Sequence, residues 1–162
     1  MFIGPRRAVL IGAIAAVALT IILLPLIFAQ TAPDLNQVGV RLDRVTVAFV
    51  EDQNVDLRTF FVLNNPTDQT ATTSRIDFEL FADGESLGPH TISYDDIPVN
   101  GRPAIFGQDS VTVSESFTIE VDSESLLEKL NENPETIKWR AKGVAQIEST
   151  LTLVEKQFEN EI

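Results

Sequence analysis

The sequence predicts an all-β domain, a two-sheet antiparallel sandwich of about seven strands with one short helix, preceded by a single transmembrane helix. Three observations carry this. Beyond residue 37, apolar side chains recur at every second position over several stretches, as strands that bury one face require. Turn signals separate those stretches: Asn64-Asn65-Pro66, Asp83-Gly84 and Asn100-Gly101. Before them lies a long apolar run without one charge.

That run, residues 8–29, reaches from Ala8 to Ala29. As a helix it would be about 33 Å long, against a hydrocarbon core of about 30 Å, and no polar stripe marks it as amphipathic. Arg6 and Arg7 precede it, which predicts a cytoplasmic N-terminus (1–7) and an extracytoplasmic C-terminal part at the cell membrane. The alternative is a cleaved signal peptide, for which Ile27 would stand poorly at the −3 position. Ala8, Gly12, Ala16 and Thr20 recur every four residues, a stripe of small side chains on which another membrane helix could pack. Residues 30–37 read as a polar linker, 38–154 as the sandwich and 155–162 as a C-terminal tail.

Within the sandwich, Val38, Val40 and Leu42 keep one phase and Val45, Val47 and Phe49 the other, so a bulge belongs near Asp43-Arg44. In the second strand Val55, Leu57, Thr59, Phe61 and Leu63 share a face; Phe60 and Val62 point the other way. The third strand buries Ile76, Phe78 and Leu80 and ends at the Asp83-Gly84 hairpin turn. Residues 86–107 predict short edge strands and loops, and Val111–Val121 alternates again with Glu115 as a polar intruder. Asp122 or Ser123 caps a helix carrying Leu126, Leu127 and Leu130, which Pro134 stops. The alternation from Ile137 to Leu153 is too long for one typical strand, with Gly143 as the expected break.

Composition removes several chemistries. The chain holds no cysteine, so disulfides, thiolate nucleophiles and cysteine metal sites are impossible. All 24 Asp and Glu follow residue 33, with 10 of the 12 basic residues, so the part beyond it carries −14. Such a surface repels nucleic acid.

The stretch from Phe60 to Gly88 also resembles a known family, the late-embryogenesis-abundant type 2 or water-stress-and-hypersensitive-response (WHy) domain. The shared order is an apolar strand (Phe60–Leu63), Asn65-Pro66, an alternating strand (Ile76–Phe81), Asp83-Gly84 and then Leu87-Gly88. The later course, through residues 97–107, the Val111–Val121 strand, the Leu-containing helix and residues 137–147, is similar too, so the likeness covers roughly 38–154. It implies an immunoglobulin/fibronectin-III-like sandwich, a link to desiccation and stress, and no catalytic residues to carry over.

Few residues invite chemistry. His90, the single histidine, lies in an expected loop after Gly88-Pro89, without a G-x-S-x-G elbow or a convergent ligand set. Asp95-Asp96 and Glu51-Asp52 are acidic turn pairs open to solvation or to weak calcium binding. Lys138, Arg140 and Lys142 form a basic ladder, either paired across strands or free for an acidic partner. Phe60, Val62 and Phe81 occupy nominally wet faces, either covered by the 126–130 helix or open as a contact patch. The sequence therefore predicts no enzyme, cofactor or small-molecule substrate. It predicts a stress-related or envelope-protective module acting by surface binding, with membrane lipid and other membrane subunits as partners. The alternative is an accessory subunit held in a membrane complex by its helix.

Overall fold

A computed structural model describes the backbone of residues 5–31, 34–150 and 152–162, and the side chains of 9–25, 34–150 and 152–162. The chain divides into two units, Met1–Ala32 and Pro33–Ile162. The first contains helix α1 (Pro5–Thr31), whose described side chains, Val9 to Pro25, are exposed. Among the described residues no helix is long and apolar enough to cross a membrane. The expected single-pass anchor is therefore corrected, together with the cytoplasmic and extracytoplasmic placement that rested on it. The side chains of Arg6, Arg7, Ala8 and Ile27 lie outside the described residues.

The second unit is mostly antiparallel sheet. Strands β1 (Gly39–Glu51), β2 (Asn54–Asn65) and β6 (Asp109–Glu120) form a three-stranded sheet in the order β1-β2-β6. Strands β3 (Ala71–Ala82), β4 (Glu85–Ser93), β7 (Trp139–Glu148) and β8 (Leu153–Glu161) form a second in the order β4-β3-β7-β8, with the short β5 (Ala104–Ile105) paired to β3. Both sheets are open. The fold class is thus corrected from about seven strands with one short helix and a transmembrane helix to two open antiparallel sheets with, among the described residues, eight strands and two helices, α1, which is not membrane-spanning, and the expected short helix, α2 (Glu124–Glu132). The extra strand comes from residues 153–161, part of which the sequence leaves as a tail: their alternation pairs them with β7 from Glu148↔Leu153 to Arg140↔Glu161.

Period-two alternation builds the core. Every second residue of β2 from Val55 to Asn65 is fully buried, and Ile76, Phe78, Leu80, Ala141, Ala145 and Ile147 meet that face from the other sheet. Edge-to-face rings link the sheets: Phe61 lies 4.8 Å from Phe78 and 5.5 Å from Phe158 between centroids. Such pairs add about 1 kcal/mol each beyond area burial. The expected bulge in β1 lies between Leu42 and Arg44, and a second separates Val47 from Phe49. β1 is an edge strand, and beside the first bulge the Asn160 side chain of β8 takes the place of a neighbouring strand: Leu42 N–H donates to Oδ1 at 2.8 Å and Nδ2 donates to Leu42 O at 2.9 Å. The expected linker is partly core: Asp34 caps a 3-10 turn at Leu35–Gln37, and Leu35 is buried.

Gly143 does not break its strand. β7 runs through it, because a Cβ there would collide with the carbonyl oxygen of Asp77 and lie 2.8 Å from Phe78 Cα. The turn falls later, where Ser149 N–H donates to Thr152 O at 2.8 Å. Gly143→Ala is expected to cost about 3 kcal/mol in urea unfolding, the upper end for overpacking against unyielding atoms. Gly39→Ala, which meets nothing within 4 Å, should leave stability unchanged or raise it by up to about 1 kcal/mol.

Candidate functional site

The corner after β2 explains the Asn-Asn-Pro sequence. Alternation turns Asn64 outward, where its Nδ2 donates to Ser110 Oγ at 2.9 Å, and turns Asn65 inward to full burial. Asn65 Nδ2 donates to Gln69 O at 2.6 Å and Ile105 O at 2.9 Å; its Oδ1 accepts from Thr67 N–H at 3.1 Å and Thr67 Oγ1 at 2.7 Å. Two donors and two acceptor sites are all used. Pro66, without an N–H, ends the ladder there. Asp83 and Gly84 both take positive φ, 49° and 87°, as the tight hairpin demands. The Asp83 carboxylate then accepts from Lys129 Nζ at 2.6 Å and from the Lys138 N–H at 3.0 Å, so it ties the hairpin to α2 and the start of β7. Those two bonds, the Lys129 one foremost, hold its carboxyl below the usual carboxylate range. These four motif residues are structural.

His90 sits in β4 opposite Phe78, not in a loop. Its ring stacks on Phe117 of β6 with centroids 3.8 Å apart, and Nε2 lies 3.2 Å from Leu87 O. The stack joins an edge strand of one sheet to an edge strand of the other. Desolvation there pushes the imidazole below its ordinary value, against a smaller upward pull from the Leu87 carbonyl.

The basic ladder is mostly engaged. Arg140 pairs with Glu159 at 3.1 Å and Lys142 with Glu79 at 2.9 Å, and both cations lie over Phe81, 4.3 and 4.9 Å from its centroid. Lys138 contributes its backbone to Asp83. The proposed apolar patch is not one surface. Phe81 belongs to β3 and is nearly buried under its cations, while Phe60 and Val62 lie on the outer face of the other sheet. Cover for Phe60 comes from Arg44 and Arg58, whose guanidinium carbons are 4.2 and 5.1 Å from its centroid. Leu126 and Leu130 of α2 point into the core. Among the described residues no three His, Asp or Glu side chains gather where they could hold a metal ion. Asp95 lies 3.8 Å from Arg75 and accepts from Ser93 Oγ, and Asp52 occupies the β1–β2 turn with φ 52°. In α1, Gly12, Ala16 and Thr20 are exposed, and the Thr20 hydroxyl donates to Ala16 O at 2.9 Å.

Sequence reading missed the arrangement around Phe60. Three register rows cross β1, β2 and β6: Arg41–Val62–Thr112, Arg44–Phe60–Ser114 and Thr46–Arg58–Ser116. The signal was present as outward-phase residues of each strand, but it emerges only once the register aligns them.

No family model and no curated protein matches the chain. Solved structures do. The X-ray structure of a Northeast Structural Genomics Consortium target aligns with a TM-score of 0.52 at 10% identity, covering 80% of this chain and 88% of the other. A crystal structure of an ApaA candidate from Bordetella pertussis aligns at 0.50 with 8% identity, covering 78% and 92%. The solution structure of a candidate late embryogenesis abundant protein aligns at 0.46 with 15% identity, covering 96% and 88%. The first two define the class, a two-sheet antiparallel β fold; identities this low speak to fold alone, and the third score is too low to carry an argument.

The His90 stack predicts a pH dependence. A depressed folded-state value means that the unfolded chain binds the proton more readily, so stability is complete above about pH 6.5 and is lost as pH falls from there through the folded value. The urea midpoint should therefore drop between about pH 7.5 and 5.5, above the range in which carboxylates titrate. His90→Phe should flatten that drop.

Proposed function

We propose that the chain is a non-catalytic, stress- or desiccation-related module that works by binding other molecules at its surface. One observation carries this reading: the single imidazole is committed to packing, stacked on Phe117 and facing the Leu87 carbonyl, and so is not poised beside a hydroxyl nucleophile. The resemblance of residues 60–88 to the WHy domain supports the stress-related part. The same residues prove to be framework, since Asn65 and Asp83 hold the β2–β3 corner and the β3–β4 hairpin.

A second reading, an accessory subunit of a protein complex, draws on the exposed Gly12, where an added Cβ meets nothing within 4 Å. It places a partner helix on that face.

The test is drying. A labile client enzyme, dried and rehydrated with the full chain at equal mass, should keep severalfold more activity than with serum albumin, and His90→Phe should protect equally. An accessory subunit would instead give no protection and would co-purify with fixed partners that Gly12→Leu releases. Loss of protection in His90→Phe, with the fold intact, would contradict the non-catalytic surface reading.

A further inference from the structure

We propose that the outer face of the β1-β2-β6 sheet binds an extended acidic polypeptide segment, with Arg44 and Arg58 as the residues that grip its carboxylates. This deepens the surface-binding reading above and rests on it.

The argument starts from charge. Beyond residue 33 the chain carries 24 acidic and 10 basic residues, so a surface arginine should ordinarily find a carboxylate. Among the described residues four arginines do: Arg41 with Asp43, Arg75 with Asp77, Arg102 with Glu148 and Arg140 with Glu159. Arg44 and Arg58 do not. Arg58 donates through Nε and Nη2 to Ser114 Oγ at 3.3 and 2.9 Å, an uncharged partner that leaves its charge uncompensated. Arg44 makes only its contact with the Phe60 ring. Both are exposed.

The three register rows around Phe60 bring together Arg44 and Arg58 with Arg41, already paired with Asp43, and with Thr46, Thr112, Ser114, Ser116 and Val62; the rows themselves hold no carboxylate, and Asp56, bonded by the Thr118 hydroxyl, follows in the next row. In so acidic a domain this is a cationic island. Stacking fixes it: two guanidiniums held over one ring lose little further freedom on binding, and the N–H edges of Arg44 and the Nη1 side of Arg58, which Ser114 does not use, stay available for a carboxylate.

The spacing selects the ligand. Successive rows on one sheet face recur at about 6.8 Å, the repeat of alternate side chains on an extended chain. Arg44 and Arg58, the two without a carboxylate partner, occupy consecutive rows. A segment with a carboxylate at every second residue places one against each. An acidic sugar chain fits less well, since guanidiniums already lie over the Phe60 ring on which a sugar would stack.

The test uses a fluorescein-labelled decapeptide alternating Glu and Val, its Gln–Val counterpart and a duplex DNA oligonucleotide, titrated with the full chain at about 0.15 M salt. Anisotropy should show the Glu peptide binding at least about tenfold more tightly than the Gln peptide, and Arg44→Gln or Arg58→Gln should each weaken it about tenfold. Lys138→Gln should leave it unchanged, and urea midpoints check that each variant is folded. Equal binding of both peptides, arginine variants that bind like the parent, no binding, or tighter binding of DNA overturns the proposal. Client protection that survives in an Arg44→Gln, Arg58→Gln double variant failing to bind peptide sinks only the link between this face and protection. Peptide binding without protection sinks the stress reading and leaves the face standing.

Discussion

The side-chain amide of Asn65 is buried at the place where the chain leaves one sheet for the other, and the fold depends on it. An amide without partners in an apolar interior costs several kcal/mol. Here it reaches back to the Gln69 carbonyl, across to Ile105 beside β3, and takes two bonds from Thr67. It thus fixes the corner, the entry into β3 and the short β5 in one set of bonds. Around it, Gly107 lets the returning loop lie against the Asp68 carbonyl, where a Cβ would come within 2.6 Å, and Gln108 N–H donates to Thr67 O at 2.9 Å. The corner is clasped from both sides.

From that corner the sandwich-like packing is closed at its two flanks by side chains instead of strands. On one flank Asn160 substitutes for a strand at the Leu42 bulge. On the other, His90 stacks on Phe117. Between them Phe158, Phe61 and Phe78 run through the interior as edge-to-face neighbours. Open sheets expose edges that invite unwanted pairing; bulges in β1 and cross-sheet contacts at both flanks blunt them. The outer faces carry mostly charge and hydroxyl groups, with Phe60 and Val62 among them on the β1-β2-β6 sheet.

Much of this was legible in the residues. Alternation placed the strands and their buried faces, the phase slip placed the first bulge, and Ser123, Leu126, Leu130 and Pro134 placed α2. What failed did so for physical reasons. A polar segment containing Pro33 read as linker, yet Leu35 fills the core, because a 3-10 turn with an Asp cap satisfies the backbone locally. Gly143 read as a break because glycine weakens strands, while here it permits close approach of β3. The helix expected to cover Phe60 buries its leucines in the core instead, and cations do the covering. The arginine rows needed strand register, which no local pattern encodes. For the same reason the basic ladder at Lys138, Arg140 and Lys142 drew attention, though its cations are largely matched across strands.

The proposed surface binding requires that the two sheets keep one fixed relation, and Asn65 is the residue assigned that task. Urea unfolding of Asn65→Asp tests this most directly, because the exchange keeps shape and volume while replacing both donors with an oxygen facing the Gln69 and Ile105 carbonyls. The account predicts a loss of more than about 3 kcal/mol, with Asn64→Asp, one residue away and outward-facing, losing less than about 1 kcal/mol. Equal losses at the two positions, or a negligible loss at Asn65, would contradict it.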